Sequence, residues 1–431
     1  MEKAMSAGPN LGCHPDALRR RLLSLPLLAA MPALAQADGL RDLLNDPANP
    51  LASLSVLVQR EGRTVYEGCF GRRYIAPAAS RRDLPVTVNT LFRMASVSKL
   101  VVALAALRLV EAGRFDLDAD IGATLGFALR HPDHPQQPIT ARLLLSHRSS
   151  LLDDGDSYAD TGMTLQRHVQ RGLRWAAAAP GRHFQYCNFN YVVLAGAMER
   201  ASGLRFDRLM QEQVLGPLGM QGSFDVHRLR PAQLAELATL YRRHPDGRWI
   251  AQVDDYHAAA PKPPPLPADY VPGSRPALFA PQGGLRTRVR DLAAAMAMLT
   301  NGGVHKGGRF LQQSSIDAML SEHWRHDAPS GNGDDLGGLF QAWGLGVQHF
   351  IDRSGPSWGD RLTSAGGLQA WGHLGEAYGL LSGLIFEPSR RIGVVYAIGG
   401  IRAGSDALHG RYSSFSPAEE RLLALLWKKL L

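Results

Sequence analysis

The chain has 431 residues, of which 45% are hydrophobic and 20% are charged. This composition excludes a disordered protein and is sufficient for one large core or two smaller ones. The formal net charge of +8 is spread along the chain, with no dense basic run beyond residues 19–21, which argues against nucleic-acid binding.

The first 37 residues have the pattern of an export signal. Three arginines at 19–21 precede an apolar run at 22–34, and residues 35–37 read Ala-Gln-Ala, an A-x-A cleavage site. The run is shorter than the roughly twenty residues of a membrane span. We therefore predict a signal peptide at 1–37, of the twin-arginine or general secretory type, and a periplasmic protein with no stable membrane insertion. The alternatives are a disordered basic leader and an uncleaved anchor.

Three cysteines are present. Cys13 would be removed with the signal peptide, and Cys69 and Cys187 are too few to define a disulfide scaffold. We predict that both are ordinary buried thiols.

After the signal, residues 54–58 and 64–70 are predicted to be two strands joined by a turn at 60–63. A helix is predicted from Ser96 to Ala112, ending at Gly113. It is apolar on almost every face, so we expect it to be buried.

The middle of the chain, to about residue 340, has a mainly helical pattern with long loops. Helices are predicted at 140–146, 191–201, 204–215 and 289–299. The proline-rich segment 261–281 cannot form regular structure, and we predict that it borders a cleft.

Strand patterns return near the end of the chain. A second hairpin is predicted from strands at 378–386 and 392–398. The chain closes with a helix whose start is marked by Ser416 as N-cap and Pro417 at the first helical position, with Glu419 completing a capping box.

These elements predict an α+β fold. Residues 38–431 form one domain, in which an antiparallel sheet takes its strands from about 50–90 and 340–431 and is flanked by helices. The mainly helical region at about 91–340 is an insertion between the two sets of strands.

Ser96 and Lys99 form the most informative chemical pattern. They stand three residues apart at the start of the apolar helix, so their side chains share one face. A serine hydroxyl becomes a good nucleophile when a base removes its proton, and burial lowers the pKa of a lysine enough to make it that base. Helical N–H groups would lie beside a developing oxyanion. Alone, the spacing also fits a helix cap followed by a solvated lysine.

Tyr186-Cys187-Asn188 and Trp371-Gly372-His373-Leu374-Gly375 are two further motifs. A tyrosine near a lysine can act as general base or acid because the positive charge lowers its pKa, and the asparagine can donate its amide to a substrate carbonyl. The histidine is placed at the start of the second hairpin, where its flanking glycines allow close approach of a substrate. It can supply a partial positive charge or relay a proton. Taken alone, each motif favours a structural role.

Together, and in this order, these motifs resemble those of the serine beta-lactamase and penicillin-binding protein superfamily. The likeness is closest to its branch of class C-like beta-lactamases, D-alanyl-D-alanine carboxypeptidases and related esterases, and it covers about residues 50–400. Similar flanking segments are ITARLLLSH at 139–147, PLGM at 217–220, GGL at 283–285 and Asp291-Leu292.

The resemblance implies a beta-lactamase/transpeptidase-like fold and an acyl-enzyme mechanism. Ser96 would be the acylated nucleophile, and Lys99 would accept its proton or hold the proton network. Tyr186 would act as base or acid for the leaving group and for deacylation.

It also implies a set of substrate-binding groups. Asn188 would orient the substrate, and His373 would stand where members of the family carry Lys or His. The backbone N–H groups of Ser96 and Glu376 would form the oxyanion hole, and Gly375 would let the substrate approach the backbone closely.

Two residues depart from the third motif of the family, usually Lys/His-Thr/Ser-Gly followed by a small residue. Position 374 is leucine, which lacks the hydroxyl that helps to bind a substrate carboxylate, and position 376 is an acid. We therefore predict a serine hydrolase of the esterase or D-amino-acid peptidase type. It would cleave an ester or amide and have weak or no beta-lactamase activity.

The alternative is a non-catalytic protein of the same fold that binds a ligand or a peptidoglycan fragment. The presence of Ser96, Lys99 and Tyr186 argues against it, and the altered third motif favours it slightly. In either case the expected partner is a small-molecule or peptide substrate or ligand, with no cofactor. The sequence leaves the oligomeric state open.

Two other patterns are interpreted as incidental. Ser357 lies in a G-x-S-x-G pentapeptide at 355–359 that contains a proline, with no buried strand before it and no helix after it. The histidine pairs 131/134 and 323/326 have no further ligands at metal-binding spacing, so we predict no metal site.

Overall fold

The computed structural model describes residues 39–77, 82–155, 162–257, 261, 266, 270–402 and 409–428. The predicted signal peptide at 1–37, with Cys13, lies outside these residues, as does most of the proline-rich stretch 261–267.

A large antiparallel sheet dominates the described residues. Each strand is antiparallel to its neighbours. In spatial order its nine strands are Trp324–Arg325, Ala342–Trp343, Gln348–Phe350, Ala370–Ala377, Leu380–Glu387, Ile392–Gly399, Ser53–Arg60, Arg63–Tyr74 and Leu84–Pro85.

The strand Ser53–Arg60 joins the two ends of the chain within this sheet. Val56 pairs with Tyr396 on one side and with Gly68 on the other. The early and late hairpins are therefore neighbours, which confirms the predicted α+β class and the antiparallel sheet built from both ends.

The helices lie mainly between the two sets of strands. The α-helices are Val97–Glu111, Ile121–Leu125, Ala141–Leu145, Leu165–Arg171, Phe189–Ser202, Phe206–Met210, Pro231–Ala235, Val289–Thr300, Gln313–Met319 and Pro417–Trp427. Residues 39–44 are also helical. A π-helical turn spans Gln211–Leu215, and 3₁₀ turns span Val226–Arg228, Pro276–Phe279 and Ala328–Ser330.

Short strands complete the fold. Leu91–Arg93, Arg286–Arg288 and Gly222–Ser223 form a three-stranded sheet. Two-stranded pairs are formed by Leu151–Leu152 with Arg174–Trp175, by Leu240–Arg243 with Trp249–Val253, and by Val304–His305 with Gly308–Arg309.

Hydrophobic side chains cover both faces of the large sheet. Along Ser53–Arg60, Leu57 joins the cluster that contains the helices Val97–Glu111, Phe189–Ser202 and Val289–Thr300. Val56 and Val58 face the opposite way and pack with the helix Pro417–Trp427. This alternation is the two-residue period of a strand buried on both faces.

The helix Val97–Glu111 is buried, as its composition predicts. Twelve of its 15 residues are buried, and its apolar side chains are distributed around the whole helix. Because this helix lies inside the core, any polar side chain that it carries must find its partners within the protein.

The third motif lies elsewhere than predicted. His373 is the fourth of eight residues in the strand Ala370–Ala377, here called the motif strand, rather than at the start of a hairpin. The predicted strand start at Tyr378 is a tight turn in which Tyr378 and Gly379 have φ of +58° and +81°. The sequence pattern missed this strand because two glycines interrupt its apolar residues.

Both cysteines in the described residues are free thiols. Cys187 is buried as predicted, whereas Cys69 is only partly buried. In the part of the chain that is described, helices with the length and hydropathy of a membrane span are absent.

Candidate active site

Six of the seven predicted site residues line one cleft of about 630 Å³, and the seventh, Lys99, is buried beneath it. The cleft lies between the start of the Val97–Glu111 helix, the loop before the Phe189–Ser202 helix and the motif strand. The lining residues predicted from sequence are Ser96, Tyr186, Asn188, His373, Gly375 and Glu376.

Ser96 occupies the N-cap position of the buried helix. It makes no side-chain cap of its own, so its hydroxyl is directed to other partners. Ala95 before it has φ of +45°, a left-handed conformation that non-glycine residues rarely adopt. Such backbone strain next to a reactive side chain is typical of functional sites.

Lys99 is the only lysine among the fully buried large side chains of the described residues, and its ammonium nitrogen meets three oxygen atoms. Nζ lies 2.9 Å from Ser96 Oγ, 2.8 Å from Asn188 Oδ1 and 2.9 Å from the backbone oxygen of Gln282. The predicted contact between Lys99 and Ser96 is therefore present.

Burial favours the uncharged form of Lys99. Desolvation lowers its pKa from 10.5 to about 7, because the low-dielectric interior disfavours the ammonium. The charge of Asp153 acts in the opposite direction and raises this pKa.

The three contacts also orient the amine. The carbonyl oxygens of Gln282 and Asn188 can only accept hydrogen bonds, so they take two N–H groups of Lys99. A neutral amine then has its lone pair in the third direction, which is that of Ser96 Oγ. This arrangement is suited to removal of the serine proton.

Asn188 contacts the lysine rather than only facing the substrate space. Its Oδ1 accepts from Lys99, and its Nδ2 donates to Asp153 Oδ2 at 3.0 Å. One amide N–H that sequence reasoning reserved for a substrate carbonyl is thus held by the protein. Sequence reasoning missed Asp153, although it lies six residues after His147 at the end of a recognised segment.

Tyr186 lies between two flat rings in the loop before the Phe189–Ser202 helix. Its ring stacks on His147 at 4.4 Å between centroids and faces Phe340 at 5.3 Å. Lys99 Nζ is 4.9 Å from the centre of the Tyr186 ring. The stacking fixes the phenol beside the lysine and the cleft.

His147 supports this loop in its neutral form. Its Nδ1 accepts from the backbone N–H of Cys187 at 3.1 Å, and Asn190 Nδ2 lies 3.3 Å from the same nitrogen. Burial lowers its pKa well below 6.5, and Lys99 lowers it further. The segment 139–147, which ends at His147, therefore holds the tyrosine loop in place.

His373, predicted to supply a partial positive charge or to relay a proton, is neutral near pH 7. Burial first and Lys99 second lower its pKa to about 3. Its Nδ1 donates to the backbone oxygen of Leu374 at 2.6 Å, so Nε2 is the unprotonated nitrogen. Nε2 has no protein partner among the described residues.

Gly375 brings the motif strand into contact with the start of the buried helix. A Cβ atom at this position would lie 3.0 Å from Ser96 N and 2.8 Å from Met94 O, so glycine is required for the approach. The next residue, Glu376, is exposed on the cleft wall.

Arg93 is a further residue of the cleft wall that sequence reasoning missed. Its Nε donates to the backbone oxygen of Gly283 at 3.3 Å, and its guanidinium lies 4.9 Å from the centre of the Tyr378 ring. Gly283 follows Gln282, whose carbonyl binds Lys99, so Arg93 stabilises the loop that supplies this acceptor.

The incidental patterns lie away from the cleft lining. Ser357 is exposed in a turn with φ of +52°. His131 is buried and donates through Nε2 to the backbone oxygen of Ala176. Across the described ranges, no cluster of three or more His, Cys, Asp or Glu side chains is arranged to hold a metal ion.

Comparison with known proteins relates this chain to a family and to solved structures. A sequence profile described as "Beta-lactamase" matches residues 43–403. Esterase EstB of Burkholderia gladioli is 34% identical over 187 residues, which cover 40% of this chain and 46% of that esterase. The chain spans about half or less of the length of the first curated relatives it matches.

Two solved structures share the fold over nearly the whole chain. A penicillin-binding protein homologue from Pyrococcus abyssi has a TM-score of 0.64 at 22% identity, covering 92% of this chain and 77% of that one. The D-amino acid amidase of Ochrobactrum anthropi SV3 has a TM-score of 0.63 at 19% identity, covering 92% and 99%.

The chain belongs to the beta-lactamase family, within the serine beta-lactamase and penicillin-binding protein superfamily. This confirms the resemblance found in the sequence motifs and the predicted fold. The family match supports the predicted enzyme class, serine hydrolase.

Proposed function

We propose that this protein is a serine hydrolase that forms an acyl-enzyme on Ser96 and cleaves an ester or amide. The observation that carries the proposal is the environment of Lys99. Its buried amine has two N–H groups taken by carbonyl oxygens, and Ser96 Oγ is 2.9 Å away in the remaining direction.

The proposed reaction begins with proton transfer from Ser96 Oγ to Lys99 Nζ while Oγ attacks the substrate carbonyl. The resulting oxyanion accepts hydrogen bonds from the backbone N–H groups of Ser96 and Glu376, which Gly375 brings together. The bond to the leaving group then breaks, and Tyr186 supplies the proton that the leaving group needs. Water then attacks the acyl-enzyme ester and gives a proton to the Tyr186 phenolate, while Lys99 returns its proton to Ser96 Oγ as the acid is released.

Two residues of the cleft wall support the proposed substrate class. Leu374 offers no hydroxyl to a carboxylate, and Glu376 is an exposed acid on the same wall. Both disfavour a substrate with a carboxylate next to the scissile bond, such as a beta-lactam. The similarity to an esterase and the shared fold with a D-amino acid amidase support an ester or amide instead.

Two experiments test the proposal. A fluorophosphonate probe should label Ser96, located by mass spectrometry, and Ser96→Ala should abolish labelling while Ser357→Ala leaves it unchanged. Hydrolysis of a short-chain nitrophenyl ester, a D-amino-acid amide and a chromogenic cephalosporin should then be compared. Dominance of the cephalosporin would reject the substrate class, and unlabelled Ser96 would favour a non-catalytic binding protein.

We also propose that the enzyme acts in the periplasm after removal of residues 1–37. The proposal is supported by the arginines, the apolar run and the cleavage site in that segment. Fractionation of expressing cells, with N-terminal sequencing of the protein, should recover a chain that begins at residue 38.

A further inference from the structure

Asp153 is a carboxylate outside the predicted catalytic set, and four donors surround it. It accepts from the backbone N–H groups of Asn188 and Phe189, each at 2.9 Å, from Asn188 Nδ2 at 3.0 Å and from Cys187 Sγ at 3.3 Å. Asp153 directly follows the short strand Leu151–Leu152, so it reaches the start of the Phe189–Ser202 helix from another part of the chain.

Asp153 takes over a function that Asn188 would usually perform. Asn188 occupies the N-cap position of the Phe189–Ser202 helix, yet its side chain makes no cap hydrogen bond. Asp153 accepts from the helix N-terminus in its place. The Asn188 side chain is therefore available for Lys99.

The carboxylate also decides which way the Asn188 amide faces. A carboxylate accepts hydrogen bonds and cannot donate them, so Nδ2 must point to Asp153 and Oδ1 to Lys99. In a flipped amide, Nδ2 would donate to the Lys99 lone pair. That lone pair would then be unavailable to Ser96.

We propose that Asp153 is a positioning residue, which fixes the Asn188 amide so that the lone pair of Lys99 points at Ser96. This inference rests on the proposed function of Ser96 and Lys99. It assigns to Asp153 an effect on the rate of acylation that a helix cap alone would not have.

The charge of Asp153 also affects the pKa of Lys99, as do the other groups that surround this amine. Those on the described residues are Asp153 and Cys187, the neutral histidines His147 and His373, and the rings of Tyr186 and Tyr191. Asp153 is the carboxylate among them, and it raises the pKa of Lys99 against the larger effect of burial. Removal of the Asp153 charge should therefore lower the pKa of Lys99 and favour the neutral amine.

Asp153→Asn is the direct test, because it removes the charge with little change in shape. The assay measures kcat/KM for a neutral nitrophenyl ester as a function of pH. We expect the plateau at high pH to fall about 10- to 100-fold, since a misplaced catalytic group loses rate of this order. The acid limb of this profile, where kcat/KM falls with decreasing pH, should move about one pH unit lower. A shift of this size is the effect of removing one charge that lies two hydrogen bonds away from the amine. The rate of Ser96 labelling by a fluorophosphonate should change in the same way.

Asp154→Asn is the matched control. Asp154 is the next residue, is exposed, and has Arg174 at 3.8 Å as its ion-pair partner. This variant makes the same change of charge, and it should keep the plateau and the acid limb of the wild type.

Asn188→Ala tests the same chain of contacts if Asp153→Asn does not fold. The backbone N–H groups of residues 188 and 189 can still bind Asp153, so the helix cap is kept while the link to Lys99 is lost. We expect the same fall in the plateau, and a wild-type rate in this variant would overturn the inference.

The inference would also be overturned if Asp153→Asn melts at a lower temperature yet keeps the plateau and the limb, since Asp153 would then be a helix cap only. Failure of the proposed function looks different. In that case the wild-type protein itself would not be labelled at Ser96.

Discussion

The protonation state of Lys99 predicts how the rate of hydrolysis depends on pH. Burial lowers the pKa of this lysine from 10.5 to about 7. The change corresponds to about 5 kcal/mol of preference for the amine over the ammonium, relative to water. Only the amine has a lone pair that can take the proton of Ser96, so the active form is the one that increases with pH.

The size of the effect follows from this pKa. With a value near 7, about one molecule in eleven has a neutral lysine at pH 6 and about ten in eleven at pH 8. We therefore expect kcat/KM to rise about tenfold between pH 6 and pH 8 and to level off above it. A solvent-exposed lysine would give a rate that still rises tenfold from pH 8 to pH 9.

The assay uses an uncharged nitrophenyl ester from pH 5 to pH 9 at constant ionic strength. Ser96→Ala gives the background hydrolysis to be subtracted at each pH. Lys99→Arg keeps a positive charge throughout this range and should lower the rate by about three orders of magnitude, the usual size of a general-base contribution. A flat profile between pH 5.5 and pH 8.5 in the wild type would refute the reasoning.

Three further variants test the close approach of the motif strand to Ser96 and the effect of two buried charged groups on stability. Gly375→Ala should lower kcat about 100-fold in the ester assay with near-UV circular dichroism unchanged, because its Cβ would lie 3.0 Å from Ser96 N; an active variant would show that the close approach is not needed. Arg286→Met leaves the buried carboxylate of Asp254 unpaired and should lower the free energy of unfolding by about 3–5 kcal/mol in urea denaturation. A loss below about 1 kcal/mol would contradict this cost. Glu419 is buried, and its pKa is raised from 4.5 to about 7. Its contribution to stability is present below pH 4.5 and is lost as the pH rises through 7, a change of about 3 kcal/mol. Glu419→Gln should remove that part of the pH dependence of unfolding, and an unchanged dependence would show that the carboxyl titrates normally.

Several features of the protein could be predicted from sequence because they are local in the chain. The two hairpins and the buried helix follow from the apolar runs that form them and from the turn residues between these runs. The contact between Ser96 and Lys99 follows from helical spacing, since residues three apart share a face. The motif strand escaped prediction because glycines break its apolar pattern, although the contact that it makes requires one of them.

The partners of Lys99 could not be predicted in this way. Asn188 and the carbonyl of Gln282 are 89 and 183 residues away from it, and a backbone carbonyl has no signature in the amino-acid sequence. Asp153 was missed for a related reason, since a carboxylate on a loop is usually solvated. Only the packing of this loop against the start of the Phe189–Ser202 helix directs it to Asn188.

The sequence alone therefore determined the proposed nucleophile and its candidate base, because both stand on one turn of one helix. The tertiary structure decided the charge of the groups around them. A pKa depends on burial and on neighbours from distant segments, which is why Lys99 can be neutral near pH 7 and His373 carries no charge. The direction of the lysine lone pair was decided in the same way, by acceptors that folding brings together.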